Sequence, residues 1–155
     1  GKIFSLTGWK VGWMCAAPPI ANVLAKAHQF FTFTTPPNLQ AAAAYGLGKN
    51  ISYFKEMRSE FAKSHHHLAS GLVHLGYAVL PSKATYFLSV DLNASGITST
   101  DTEFCEMLVR NHGVAAIPVS VFYPQDPVKN IVRLCFAKDQ ATLNAALERM
   151  PRSVM

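Results

Sequence analysis

Gly1-Lys2-Ile3-Phe4-Ser5-Leu6-Thr7-Gly8-Trp9-Lys10-Val11-Gly12 stands at the head of the 155-residue sequence and combines two lysines, eight residues apart, with a threonine, a tryptophan and three glycines. Working outward, residues 11–17 (VGWMCAA) form a short apolar run closed by Pro18-Pro19. Such a run predicts a buried strand, and the proline pair predicts a helix over 19–29 with proline in its first turn. Residues 30–37 (FFTFTTPP) are aromatic and β-branched and end on two prolines, which predicts a loop or extended piece between two alanine-rich helices. The second of these helices covers 37–47, with Gly46 and Gly48 marking its end.

Further along, Phe54, Met57, Phe61, Leu68, Leu72 and Leu75 recur at helical spacing and predict one long amphipathic helix over 51–75, long enough to connect two domains. After Gly76 the pattern changes, and strands are predicted at 77–80, 86–92, 114–117 and 131–137. Thr100-Asp101-Thr102-Glu103 reads as a capping box that opens a helix through Met107 and Leu108, with Gly113 placed to stop it. A last helix follows Asp139 through Leu143, Leu147 and Met150. The pattern as a whole is α/β, divided into residues 1–48 and residues 49–155, the latter a long helix followed by a small α+β domain.

Hydrophobic residues make up 50% of the chain and charged ones only 15%, against about 25% in an ordinary soluble domain. A surface so poor in charge implies packing against another chain or excision from a larger protein, and the start on Gly1 rather than Met supports excision. The net charge of +5 is spread in single lysines such as Lys26, Lys49, Lys83 and Lys129 with no basic run, so no nucleic-acid partner is expected. Cys15, Cys105 and Cys135 are odd in number and set among apolar neighbours, which predicts buried thiols of a reducing, cytoplasmic compartment. No apolar run reaches the roughly 18 residues that span a bilayer, so no membrane partner is expected.

The opening twelve residues resemble the Lys-x-Phe-x-x-Thr-Gly-Trp-[Arg/Lys]-x-Gly signature of class I/II pyridoxal-phosphate-dependent aminotransferases, in particular the branch of the kynurenine, glutamine and methionine enzymes. Further matches lie in residues 81–87 (PSKATYF), 113–118 (GVAAIP) and 132–136 (VRLCF). The resemblance implies the C-terminal part of a fold-type I enzyme: residues 1–48 as a remnant of the large cofactor-binding domain, residues 49–155 as the connecting helix and small domain. It implies pyridoxal 5'-phosphate as cofactor, an amino acid and a 2-oxo acid as substrates, and a homodimer when intact. The fragment by itself is expected to be inactive.

The resemblance also assigns roles that suit the chemistry. Lys2 matches the lysine that forms the Schiff base with the cofactor and moves a proton between the substrate Cα and the cofactor; a buried, neutral amine is the only side chain that can do both. Lys10 matches the cation on the cofactor phosphate. Arg133 interrupts an apolar strand, where a guanidinium is costly without an anion, and matches the bidentate clamp on the substrate α-carboxylate. Phe33 matches an aromatic that reaches toward the partner subunit's active site. Residues 30–37 hold no arginine or lysine to pair a second carboxylate, which favours neutral or aromatic amino acids over aspartate. One departure is Ala84, where the family often has glycine before Thr85.

Other readings stay open. A β-lyase acting on cysteine conjugates uses the same lysine and arginine, and a transcription regulator carrying an aminotransferase-like domain shares the fold. His65-His66-His67 invites a metal reading, but consecutive helical residues point about 100° apart and cannot share an ion, so a solvated helix face is expected instead.

Overall fold

The apolar spacing that predicts one long helix is realised in α3, Ile51–His74, within a computed structural model that describes residues 3–153. Lys2 therefore lies outside the described residues. Two compact units are present, Gly1–Phe54 and Lys55–Met155.

The first unit carries α1 (Pro18–Phe31) and α2 (Pro37–Leu47), each with proline in its first turn, where a missing N–H costs nothing. The strand expected over 11–17 is not formed: the segment is irregular and exposed beyond Val11. An extended run needs a neighbour for its N–H and C=O groups, and the strands among the described residues pair only with one another. Helix α1 runs past its expected end to Phe31, so the connection to α2 is shorter than the FFTFTTPP pattern suggests. It buries none of its residues; Ile20, Val23, Phe30 and Phe31 are all exposed. What order the unit has centres on Phe4, whose ring meets Tyr53 and Phe54 at 6.3 and 6.4 Å. Gly46 is buried beneath it, and a methyl group there would fall 2.7 Å from the ring.

The second unit is built on an antiparallel four-stranded sheet of order β1-β2-β4-β3: β1 Ala78–Leu80, β2 Phe87–Asp91, β3 Ile117–Pro118 and β4 Ile131–Cys135. Alternation decides which side faces the core. Leu88 and Val90 of β2 and Val132 and Leu134 of β4 are buried together, against Leu68 and Leu72 of α3, and with Phe104, Leu108 and Leu143 in the same core. The opposite face carries Phe87, Ser89 and Asp91 across from Cys135, Arg133 and Ile131. Strand β3 is shorter than predicted because the Val114 N–H donates back to the Leu108 carbonyl, closing the preceding helix instead of extending the sheet.

The capping box forms as read. Glu103 N donates to the Thr100 hydroxyl, and the Glu103 carboxylate accepts from Thr100 N at 2.8 Å at the start of α4, Asp101–Met107. The helix continues through one π turn and stops at Gly113, whose φ of +64° is costly for any residue with a Cβ. Helix α5, Gln140–Arg149, is capped by Asp139, which accepts from Thr142 N at 2.7 Å.

Two smaller expectations need correction. Of the thiols only Cys105 is buried, and burial pushes it up to about 11; Cys135 is half-buried and Cys15 exposed, since the strand meant to bury Cys15 is absent. Of the three histidines only His66 is exposed; His65 meets the Phe136 ring edge-on at 5.1 Å and His67 bonds Asn144 at 2.6 Å, because α3 turns one flank of the run toward the sheet and α5.

The burial of α3 is directional, so adjacent positions should respond differently. Leu72→Ala, at a fully buried site, should lower unfolding stability by about 3 kcal/mol in urea titrations, whereas Val73→Ala, one residue on and 59% exposed, should change it by less than about 0.5 kcal/mol. Equal losses would contradict the assigned face.

Candidate active site

Arg133 sits in β4, flanked on both sides: its register partners are Ser89 in β2 and Ile117 in β3. It therefore occupies the interior of the sheet, on the face away from the core. Its guanidinium carbon lies 4.0 Å from the Phe87 ring centre and 5.0 Å from that of Phe122, so two aromatic faces hold the planar group. Its Nε is buried without a hydrogen-bond partner. The ion pairs among the described residues are Lys63–Glu60 and Arg110–Glu106, and Arg133 belongs to neither. Asp91, the acid on the same face, is engaged by the Asn130 amide at 2.9 Å and by Ala94 N at 3.1 Å. An oriented, half-buried cation is thus held by rings and lacks an anion among the described residues.

Sequence reading named Arg133 but missed the rings that orient it. The signal was present in residues 87–91: strand alternation puts Phe87 and Ser89 on one face, and an antiparallel pairing of β2 with β4 then brings Phe87 beside Arg133. Phe122, in a short 3-10 turn over Ser120–Phe122, is marked in the sequence by its place after Ile117-Pro118, which gives it no role without the contact to Arg133.

Lys10 and Phe33 belong to the first unit. Lys10 is exposed, and its φ of +52° puts a non-glycine residue in the left-handed region; Phe33 at +65° and Ser5 at +54° do the same. Phe33 follows the C-cap of α1 and closes the helix, its N–H donating to the His28 carbonyl at 3.1 Å. Gly8, at φ +103°, needs its missing Cβ for conformation, whereas neither Gly8 nor Gly12 is crowded by the described residues. Phe33 lines a cleft of about 450 Å³ with Val11, Gly12, Trp13, Thr34 and Thr35, so the loop expected at a substrate meets the segment that follows Lys10. Phe33 itself is 78% exposed and so is not a core aromatic of this unit. Thr85, after the departing Ala84, adopts φ +70°, a left-handed conformation that a β-branched side chain enters at a cost. No helix among the described residues is long and apolar enough to cross a membrane.

A model of the family described as Aminotransferase class I and II matches residues 1–150. A methionine aminotransferase of Escherichia coli K12 is 39% identical over 150 residues, covering 97% of this chain and 39% of the relative. Kynurenine–oxoglutarate transaminase 1 of Mus musculus is 34% identical over 170 residues, covering 97% of this chain and 40% of the relative. Among solved structures, N-succinyldiaminopimelate aminotransferase of Mycobacterium tuberculosis matches with a TM-score of 0.86 at 34% identity, over 95% of this chain and 38% of that one. The mixed helix-and-strand fold is therefore that of these structures, and the chain spans about two-fifths of the length of the relatives it matches.

The geometry at Arg133 predicts a stability effect. Arg133→Met keeps an unbranched stem between Phe87 and Phe122 while removing an unpartnered buried Nε, so unfolding stability without ligand should stay within about 1 kcal/mol of wild type or rise. A loss above about 2 kcal/mol in chemical denaturation would mean that the guanidinium is already satisfied within the fold.

Proposed function

The chain belongs to the class I and II aminotransferase family, and from that premise we propose that it serves the transfer of an amino group from a neutral or aromatic L-amino acid to a 2-oxo acid, with pyridoxal 5'-phosphate as cofactor. The observation that carries the reading is Arg133: a guanidinium oriented between Phe87 and Phe122, with no acid of the described residues to pair it.

The residues suit such a cofactor. Lys10 is exposed and in neither ion pair of the described residues, which leaves its charge available to a phosphate dianion. Lys2 would hold the cofactor covalently and carry a proton to and from the substrate Cα. When bound, the cofactor supplies an electron sink for the pair left on that carbon. Arg133 fixes the substrate through its α-carboxylate, where the planar fork gives two parallel hydrogen bonds. The loop around Phe33 supplies apolar and hydroxyl groups and no cation, so a second carboxylate there would go unpaired at a cost of a few kcal/mol.

The domain assignment follows: residues 1–48 as part of the large cofactor-binding domain and residues 49–155 as the connecting helix and small domain. A homodimer is proposed as well, supported by the apolar surface of Phe30, Phe31, Phe33 and Trp13. A cytoplasmic location rests on three free thiols. β-Elimination would use the same lysine and arginine, and no observation favours it over transfer.

Two measurements on the full-length enzyme, of which this chain is a part, with its cofactor bound test the reading. Borohydride reduction followed by peptide mapping should find the pyridoxyl group on Lys2, and label confined to another lysine would overturn that role. Specificity constants should be at least about tenfold higher for phenylalanine, methionine, glutamine or kynurenine than for aspartate. Aspartate as the best donor would refute the substrate class.

A further inference from the structure

Asp101 is fully buried, with no exposed surface, and belongs to none of the ion pairs of the described residues. A carboxyl group in that setting is costly unless hydrogen bonds satisfy it. Three do. Ser120 N donates to Oδ2 at 2.7 Å, the Ser120 hydroxyl donates to Oδ1 at 2.9 Å, and Thr102 N donates to Oδ1 at 2.9 Å. Two of these three reach across 19 residues to a single partner, so the side chain does more than begin a helix. Its own backbone is also tied, since Asp101 N donates to the Lys129 carbonyl at 2.7 Å, two residues before β4.

Ser120 opens the turn Ser120–Phe122. Val119 N donates to Ile131 O at 3.1 Å and Phe122 N donates to Val119 O at 3.2 Å, so one end of the turn is fastened to β4. The contact from Asp101 holds the adjoining residue, Ser120, at that same end, from which the turn carries Phe122. Phe122 is 58% exposed, too little buried for packing alone to fix its ring, yet that ring lies over the Arg133 guanidinium. Its place is set by the backbone that carries it.

We propose that Asp101 is a positioning residue for the carboxylate clamp: by holding the amide and hydroxyl of Ser120 it fixes the turn that lays Phe122 over Arg133. The inference rests on the reading that Arg133 binds the substrate carboxylate. Asp101 touches neither substrate nor cofactor; it acts through Ser120 and Phe122. Removing it frees the ring, leaves Phe87 as the one remaining face, and lets the guanidinium sample orientations that do not match a carboxylate.

The test is a double-mutant cycle in the full-length holoenzyme. Asp101→Asn places an NH2 where a second acceptor is needed, and Phe122→Ala removes the ring. Each should raise KM for the amino acid by about fivefold with kcat changed less than about twofold, and the double variant should be no worse than either single one. Ser120→Ala, which loses one bond of the three, should raise KM by about twofold, and it replaces Asp101→Asn in the cycle if that variant does not fold. A helix-capping role alone would lower stability, leave KM unchanged and add independently to Phe122→Ala. That result, or multiplicative effects on KM, overturns the role of Asp101 while leaving the aminotransferase reading intact. A full-length wild-type enzyme that transfers no amine overturns the reading of the site itself.

Discussion

A guanidinium set into the interior of a sheet must find an anion or be held some other way, and most of the second unit is arranged around that constraint. The core side of β2 and β4 is closed by Leu88, Val90, Val132 and Leu134, which are nearly inaccessible. That burial fixes the strand register, and register fixes what lies on the other face. A slip of one residue would turn Arg133 into the hydrocarbon core and Val132 out of it. The same packing that stabilises the unit thereby orients its charged group, and the aromatic rings of Phe87 and Phe122 complete the orientation without neutralising it. What remains is an oriented cation without an acid partner among the described residues.

How much of this could be read from sequence depended on range. Helix α3 was legible because six apolar residues keep helical spacing, and the α4 capping box because its two partners are three residues apart. The strand expected over 11–17 was not formed, since apolar content shows a wish for burial but not who supplies the ladder. Strand β3 shrank for a similar reason: Val114 is buried, as a strand residue would be, but its N–H closes a π turn. Arg133 was recognisable from its apolar neighbours and from the family resemblance, whereas the contacts of Phe122 with Arg133 and of Asp101 with Ser120 span 11 and 19 residues of sequence, which no local pattern reveals.

The two units differ in what their sequences accomplish. Residues of the second unit bury a contiguous core, whereas α1 buries nothing and keeps Phe30 and Phe31 about nine-tenths exposed. Left-handed backbone at Ser5, Lys10 and Phe33 belongs to the same unit. At Phe33 the conformation ends α1, its N–H donating to the His28 carbonyl at 3.1 Å.

The proposed role of Arg133 in holding a substrate carboxylate can be probed with 3-phenylpropionate, which has the carboxylate and an aromatic side chain but no amine to react. Titration of the holoprotein, followed by cofactor absorbance, should show binding that Arg133→Met weakens by at least about tenfold, while 3-phenylpropanol, which lacks the charge, binds both proteins alike. Equal affinity of wild type and Arg133→Met for phenylpropionate would rule out Arg133 as the carboxylate clamp.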